Sequence, residues 1–131
     1  MEERTAVRAA HDLGVPVTEA SVISYRVAPG LGSGGHDLLC WTTTAESGGH
    51  FAAMDVATGQ TWVHPLDTLE AYPIVVGRDD KVYVGTTSAR VMRWDPSADT
   101  WEAVGGPLFS VPGARILHVR CLCQGADGWL Y

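Results

Sequence analysis

Positive charge is scarce in this chain of 131 residues. Nine Lys and Arg stand against fifteen Asp and Glu, which gives a formal net charge of −6 at pH 7. A protein that binds nucleic acid in a general way has to neutralise many phosphates with Lys and Arg. The sequence therefore predicts no nucleic-acid partner.

Long apolar runs are missing as well. No stretch approaches the roughly 18 apolar residues of a membrane-spanning helix. The charged residues 1–4 are not followed by the apolar segment of a secretory signal. We therefore expect a cytoplasmic protein without a membrane partner.

Cysteine is too sparse for a disulfide framework or a structural zinc site. The chain has three cysteines, and the pair Cys121-x-Cys123 lacks the second pair of ligands that such a zinc site requires. Residues two apart in a strand share a face, so we expect Cys121 and Cys123 to pack as small apolar side chains. Phosphate-loop, dinucleotide-binding, zinc-protease and calcium-loop motifs are also missing, so the sequence predicts no metal and no cofactor.

The chain does contain apolar residues that alternate with a period of two, in short runs separated by Gly, Pro and Asp. This pattern indicates β-strands joined by turns. The length is that of one domain. The sequence therefore predicts a single all-β domain.

A unit of several strands occurs twice. The later copy contains the segments 81–87, 90–95 and 101–104, and the earlier copy contains 37–43, 50–55 and 61–63. In each copy an Asp precedes a turn, whose N–H groups a short acceptor side chain can cap. A Trp opens the next strand, where a large ring can cover the gap between sheets. The alignment pairs an apolar residue, the Asp and the Trp of the two copies: Leu38 with Val82, Asp55 with Asp95 and Trp62 with Trp101.

A further strand precedes each unit, at residues 20–27, 72–76 and 114–121. The first and third of these strands align with Arg26 over Arg120. Residues 127–131 align with residues 80–84 at a separation of 47 positions. The chain is therefore expected to end partway through a third repeat.

The unit thus consists of three strands, a turn after an Asp and a fourth strand that contains Trp. It repeats about every 44–47 residues, and such a unit is typical of a propeller blade. The unit resembles blades of the β-propeller superfamily, in particular the kelch-like and the YVTN or quinoprotein-like groups. Their second strand is similar to Val-Tyr-Val-Gly-Thr at 82–86, and their third to Val-Met-Arg-Trp-Asp-Pro at 91–96.

The resemblance implies an all-β propeller segment of four-stranded antiparallel blades within a single domain, 1–131. It comprises about two and a half blades plus an N-terminal outer strand, at about 20–64, 71–105, 114–131 (partial) and 5–12. A closed ring takes about four to eight blades. The chain is therefore a segment of a longer protein, or self-association or a partner chain completes the propeller.

The resemblance also implies where a site lies, because the first strand of each propeller blade lines the central channel. His118 and Arg120 share a face of one such strand, where an imidazole can act as a base and a guanidinium can hold an anion. Arg26 is the aligned position of the first blade. The candidate ligand-binding residues on the rim of the propeller are His50, His64, Asp67 and Arg115. Hydrogen bonding of the same side chains to water and carbonyls is the alternative interpretation.

Two functional classes remain open from the sequence. The first is a binding or interaction module that presents its channel or rim to a small anionic ligand, a glycan or a protein. The second is a propeller-type carbohydrate-active enzyme, a lyase acting on acidic sugars, with His118 as base and Tyr25 as acid. A quinone-dependent dehydrogenase would need metal-binding carboxylates and a stacking Trp, which the sequence does not identify.

Overall fold

The computed structural model describes residues 21–44, 48–66, 68, 70–105, 112 and 118–131. Within this part the chain forms eight strands: β1 (Ser21–Ala28), β2 (Leu38–Thr44), β3 (His50–Asp55), β4 (Thr61–Pro65), β5 (Ala71–Val76), β6 (Val82–Thr86), β7 (Val91–Asp95) and β8 (Thr100–Gly105). A single 3₁₀ turn, Ser33–Gly35, is the helical element of the described residues.

The strands form two four-stranded antiparallel sheets in the orders β1-β2-β3-β4 and β5-β6-β7-β8. We call them sheet 1 and sheet 2. The prediction of an all-β chain with two four-stranded antiparallel units is confirmed, and the two sheets are open. The predicted outer strand at 5–12 lies outside the described residues.

The turns after β3 and β7 have the same construction. The Oδ1 atom of Asp55 accepts hydrogen bonds from the N–H groups of Ala57 (2.9 Å) and Thr58 (3.0 Å). Asp95 Oδ1 accepts one from the N–H of Ser97 at 2.9 Å. The residue four positions after each Asp has a positive φ, 75° at Gly59 and 49° at Asp99. The predicted equivalence of the two Asp residues is therefore confirmed.

The predicted equivalence of the two Trp residues is wrong by one position. Trp62 pairs with Ala53, two residues before Asp55, whereas Trp101 pairs with Trp94, one residue before Asp95. Trp62 therefore corresponds to Glu102. A shift of one residue in a strand moves a side chain to the other face, so Trp62 and Trp101 lie on unlike faces of their sheets.

Both Trp residues nevertheless contribute to one core, because the face of sheet 1 that carries Trp62 packs against the opposite face of sheet 2, which carries Trp101. This core contains buried residues of both sheets, flanked by Trp62 and Trp101: Leu38, Cys40, Phe51 and Ala53 of sheet 1, and Val82, Val84 and Trp94 of sheet 2. The Phe51 and Trp101 rings are stacked at 5.0 Å with 9° between their planes. The backbones of the two sheets approach each other mainly where β1 and β2 of sheet 1 lie next to β5 of sheet 2. Towards the outer strands, aromatic rings fill the space.

A hairpin at the C-terminus repeats the turn between β5 and β6. The N–H of Gly77 donates to Lys81 O at 2.8 Å, and the N–H of Gly125, 48 positions later, donates to Trp129 O at 2.9 Å. The phenol of Tyr83 donates to Asp79 at 2.7 Å, and that of Tyr131 donates to Asp127 at 2.6 Å. Asp127 therefore corresponds to Asp79, and the separation of 47 positions inferred from the sequence is wrong by one.

The segment before this hairpin does not form the predicted strand in its described part. Residues 118–123 carry no strand, and residues 114–117 lie outside the described residues. Val119 connects the segment to sheet 2, because its N–H donates to Thr86 O at 3.1 Å and its buried side chain lies against Gly85. Cys121 and Cys123 are exposed, so their predicted packing is wrong.

No helix in the described part of the chain has the length and apolar character needed to cross a membrane.

Candidate functional site

Four polar or charged side chains meet beside the start of β5. Glu70 directly precedes β5 and Tyr72 lies within it, while His118 and Arg120 flank the anchored Val119. In an extended segment successive side chains point to opposite sides. Val119 is buried and Arg120 is exposed, as this alternation requires. The anchoring of Val119 on sheet 2 thus brings His118 and Arg120 to Tyr72.

The Tyr72 ring is the centre of this group, which we call the Tyr72 cluster (Glu70, Tyr72, His118 and Arg120). The Cζ atom of Arg120 lies 4.8 Å from the centroid of the ring, in cation–π geometry. The His118 ring meets the Tyr72 ring edge-on, with 6.2 Å between the centroids. The Tyr72 phenol donates a hydrogen bond to a carboxylate oxygen of Glu70.

Two members of the Tyr72 cluster retain unused hydrogen-bonding capacity. Arg120 forms no ion pair or hydrogen bond with any described residue, although a guanidinium has five N–H donors. His118 Nδ1 is buried without a hydrogen-bond partner in the described part of the protein. Buried polar atoms are normally paired. The cluster therefore offers a cation to a further group, and it contains a buried imidazole nitrogen that has no partner among the described residues.

The cluster also holds Tyr72 in its neutral form. The hydrogen bond to Glu70 raises the pKa of the Tyr72 phenol, and burial and the charge of Glu70 act in the same direction, against a lowering by Arg120. A phenol ordinarily titrates near pH 10. Tyr72 is therefore a proton donor across the neutral range, next to a carboxylate, an imidazole and a guanidinium.

His118 and Arg120 both contact the Tyr72 ring, whereas Arg26 and Tyr25 lie elsewhere. Arg26 is equivalent to Val75 in the strand pairing. Arg26 is connected across sheet 1 to the residue two positions before Asp55, and Val75 is connected across sheet 2 to the residue two positions before Asp95. Cys123 is also equivalent to Val75, because Cys123 pairs with Tyr131 as Val75 pairs with Tyr83. The alignment of Arg26 with Arg120 is therefore wrong by three positions. Tyr25 is 46% exposed on β1.

Of the predicted rim residues, His64 lies between the sheets. Its Nε2 atom is 2.8 Å from Asp99 Oδ1, and its ring stacks on Trp101 at 5.4 Å. His50 begins β3 with its Nδ1 buried and without a partner among the described residues. Asp67 and Arg115 lie outside the described residues. The described residues contain no group of three or more His, Cys, Asp and Glu that would hold a metal ion.

Sequence reasoning missed Tyr72 and the role of Glu70. At the separation of 48 positions seen in the two turns, Glu70 corresponds to His118 and Tyr72 to Arg120. The repeat was therefore the sequence signal that could have identified Tyr72 and Glu70. An alignment with a separation of 47 positions does not pair them with Arg120 and His118.

Comparison with protein-family models, with curated proteins and with solved structures yielded no match.

Proposed function

We propose that this chain is a segment of a β-propeller and that it acts as a binding module for an anionic small molecule or glycan. Three features support the propeller: two consecutive four-stranded antiparallel sheets, their stacking through unlike faces, and the close approach of β1 to β5. Blades around a common axis have this relationship, because each blade packs its front on the back of the next. The blades are assigned to residues 20–64, 71–105 and 114–131 of one domain.

The observation that carries the binding function is the stacking of Arg120 on Tyr72 without an ion-pair partner among the described residues. A guanidinium held on a ring is pre-oriented to bind a carboxylate or sulfate through two N–H groups. His118, edge-on to the same ring, would add a second polar contact through Nε2, because its Nδ1 is buried. Glu70 supplies an acceptor for hydroxyl groups, so an acidic sugar matches the Tyr72 cluster in both charge and hydrogen bonding.

Calorimetric titration with a uronate, and separately with sulfate, tests this proposal. We expect saturable uronate binding by the parent protein and at least a tenfold loss of affinity in Arg120→Met, because one charge-assisted contact is worth about 1.5–3 kcal/mol. Arg93→Met is the matched control, since Arg93 is paired with Glu102 on β8. No binding by the parent, or an equal loss in both variants, would contradict the proposal.

A lyase acting on acidic sugars is the second candidate, favoured by the contact between the Tyr72 and His118 rings. His118 would take the proton at the carbon next to the uronate carboxylate. The electron pair of that C–H bond would form a C=C bond as the glycosidic C–O bond breaks, and Tyr72 would protonate the leaving oxygen. This assigns to Tyr72 the acid role that the sequence suggested for Tyr25. Formation of unsaturated product by the parent but not by His118→Ala, with binding retained, would support this candidate.

We further propose that a second copy of the chain is the partner at the edge formed by residues 129–131. This edge is apolar, with Trp129 72% and Tyr131 64% exposed. It borders a cleft of about 720 Å³ that is also lined by Val91 and Val104 of sheet 2. Exposed strand edges pair readily with other strands, and a second copy offers the same edge for antiparallel pairing.

A further inference from the structure

A second cleft, separate from the Tyr72 cluster, lies where β1, β5 and the C-terminal hairpin meet. Its volume is about 460 Å³, and its lining includes two arginines, Arg26 of β1 and Arg78 of the turn after β5. Apolar side chains of β1 and β5, Cys123 and Gln124 complete much of the wall. None of its lining residues belongs to the Tyr72 cluster.

Backbone carbonyl groups hold both arginines in place. The Nε of Arg26 donates to Ile74 O at 3.4 Å, which joins sheet 1 to sheet 2. The Nη1 of Arg78 donates to Ala126 O at 2.9 Å, which joins sheet 2 to the C-terminal hairpin. The N–H of Arg78 also donates to Gln124 Oε1 at 2.9 Å. Each guanidinium is thereby oriented by one contact and keeps further N–H donors.

The charge of these two arginines is not neutralised within the described part of the protein. A carbonyl acceptor carries no net charge, neither arginine has an ion-pair partner among the described residues, and no Asp or Glu lines the cleft. The cleft is thus a local site of positive charge in a chain whose net charge is −6. Two like charges on one cleft repel each other, and an oxyanion between them removes that repulsion.

We propose that this Arg26–Arg78 cleft is a binding site for a phosphate-type oxyanion. Small-molecule sites commonly have volumes of roughly 300–1,000 Å³, so the cleft accommodates a phosphate ester as well as inorganic phosphate. The bound anion would contact an arginine of sheet 1 and an arginine that holds the C-terminal hairpin. Binding should therefore also strengthen the attachment of residues 123–131 to the two sheets.

Titration of the full chain with inorganic phosphate and with glycerol 3-phosphate, at constant ionic strength, tests this site. The parent protein should bind saturably, and amide exchange of residues 123–131 should slow as phosphate is added. Tighter binding of the ester than of inorganic phosphate would identify the ester as the ligand class, and equal binding would identify the inorganic ion. Both results support an oxyanion site.

Arg26→Gln is the informative variant, because Arg78 also holds the hairpin and its replacement would change the fold of that region. Arg26→Gln should lower phosphate affinity at least tenfold and abolish the slowing of exchange, while its aromatic circular dichroism stays that of the parent. Arg93→Met, which removes an arginine of β7 that is paired with Glu102 and lies outside both sites, should leave phosphate binding unchanged. The absence of saturable binding in the parent, or unchanged affinity in Arg26→Gln, would overturn the proposal. Such a result would leave the proposal of uronate binding at Arg120 intact. The two proposals can therefore be refuted independently of each other.

Discussion

The phenol of Tyr131 donates a hydrogen bond to Asp127 at 2.6 Å, and in doing so it reproduces the contact of Tyr83 with Asp79. In both turns the Tyr ring passes over a glycine, Gly77 or Gly125. A Cβ atom on either glycine would lie 2.8 Å from a carbon of that ring, and 2.3 Å (Gly77) or 2.6 Å (Gly125) from an Asp oxygen. The turn Gly-x-Asp-x-x-x-Tyr is thus one structural unit that the chain uses twice.

This unit predicts a ranking of two substitutions in sheet 2. Gly77→Ala should lower the free energy of unfolding by about 1–3 kcal/mol, because the added methyl group has no room between Asp79 and the ring. Tyr83→Phe removes one partly exposed hydrogen bond and should cost about 1 kcal/mol or less. Urea denaturation of the two variants measures both values. The reverse order would show that the ring does not depend on the glycine.

The strands and turns of this fold were predictable because their signals are local. Short apolar runs, an Asp before the turn and Gly59 at a positive φ identify β3, β4 and the turn between them. The register was harder to predict, because Leu38 to Thr43 of β2 are buried on both faces of sheet 1. A strand buried on both sides shows no alternation, so a shift of one residue leaves no trace in the sequence.

The site was only partly predictable for the same reason. His118 and Arg120 could be selected as a polar pair within an apolar segment. Their partner Tyr72 lies 46 positions before His118 in the chain, and only the correct repeat distance connects the two. The Arg26–Arg78 cleft depends on where three segments meet, which no local pattern encodes.

The core between the sheets predicts a strong contrast between two Trp residues. Trp94 is fully buried against Phe51 and Trp62, with 5.4 Å between the ring centroids in both pairs. Trp94→Ala should therefore lower the free energy of unfolding by about 3–5 kcal/mol. Trp129→Ala, at a 72% exposed position, should change it by about 0.5 kcal/mol or less. Similar effects of the two substitutions on chemical denaturation would contradict this description of the core.

The ion pair of Lys81 with Asp95 predicts a specific pH dependence. The Nζ of Lys81 lies 2.6 Å from Asp95, and this contact, together with the hydroxyl of Ser97, lowers the pKa of Asp95 to about 2. An unfolded Asp titrates at about 3.9. The stabilisation is therefore fully present above pH 4 or so and is lost as the pH falls towards 2.

Denaturation of Asp95→Asn between pH 2 and pH 5 checks this pH dependence. The variant should be less stable than the parent at pH 5, and the difference should shrink as the pH falls towards 2. Lys81→Met removes the main cause of the lowered pKa of Asp95. This variant should therefore lose stability at a higher pH than the parent protein does as the solution is acidified. A difference between parent and Asp95→Asn that stays constant with pH would show that Asp95 does not titrate in this range.

The exposed edge at residues 129–131 predicts self-association. Trp129 and Tyr131 present apolar surface on the C-terminal hairpin, next to Val104 on sheet 2. Two copies that pair edge to edge would bury these rings and use the unpaired backbone groups. Sedimentation velocity at micromolar concentration should therefore show a dimer that dissociates on dilution. Leu130→Lys places a charge in the cleft and should shift the protein towards monomer, whereas Val56→Lys, at an exposed position in the turn after β3, should not. A parent protein that remains monomeric at these concentrations would contradict the proposed partner, and equal dissociation in both variants would place the contact away from the 129–131 edge.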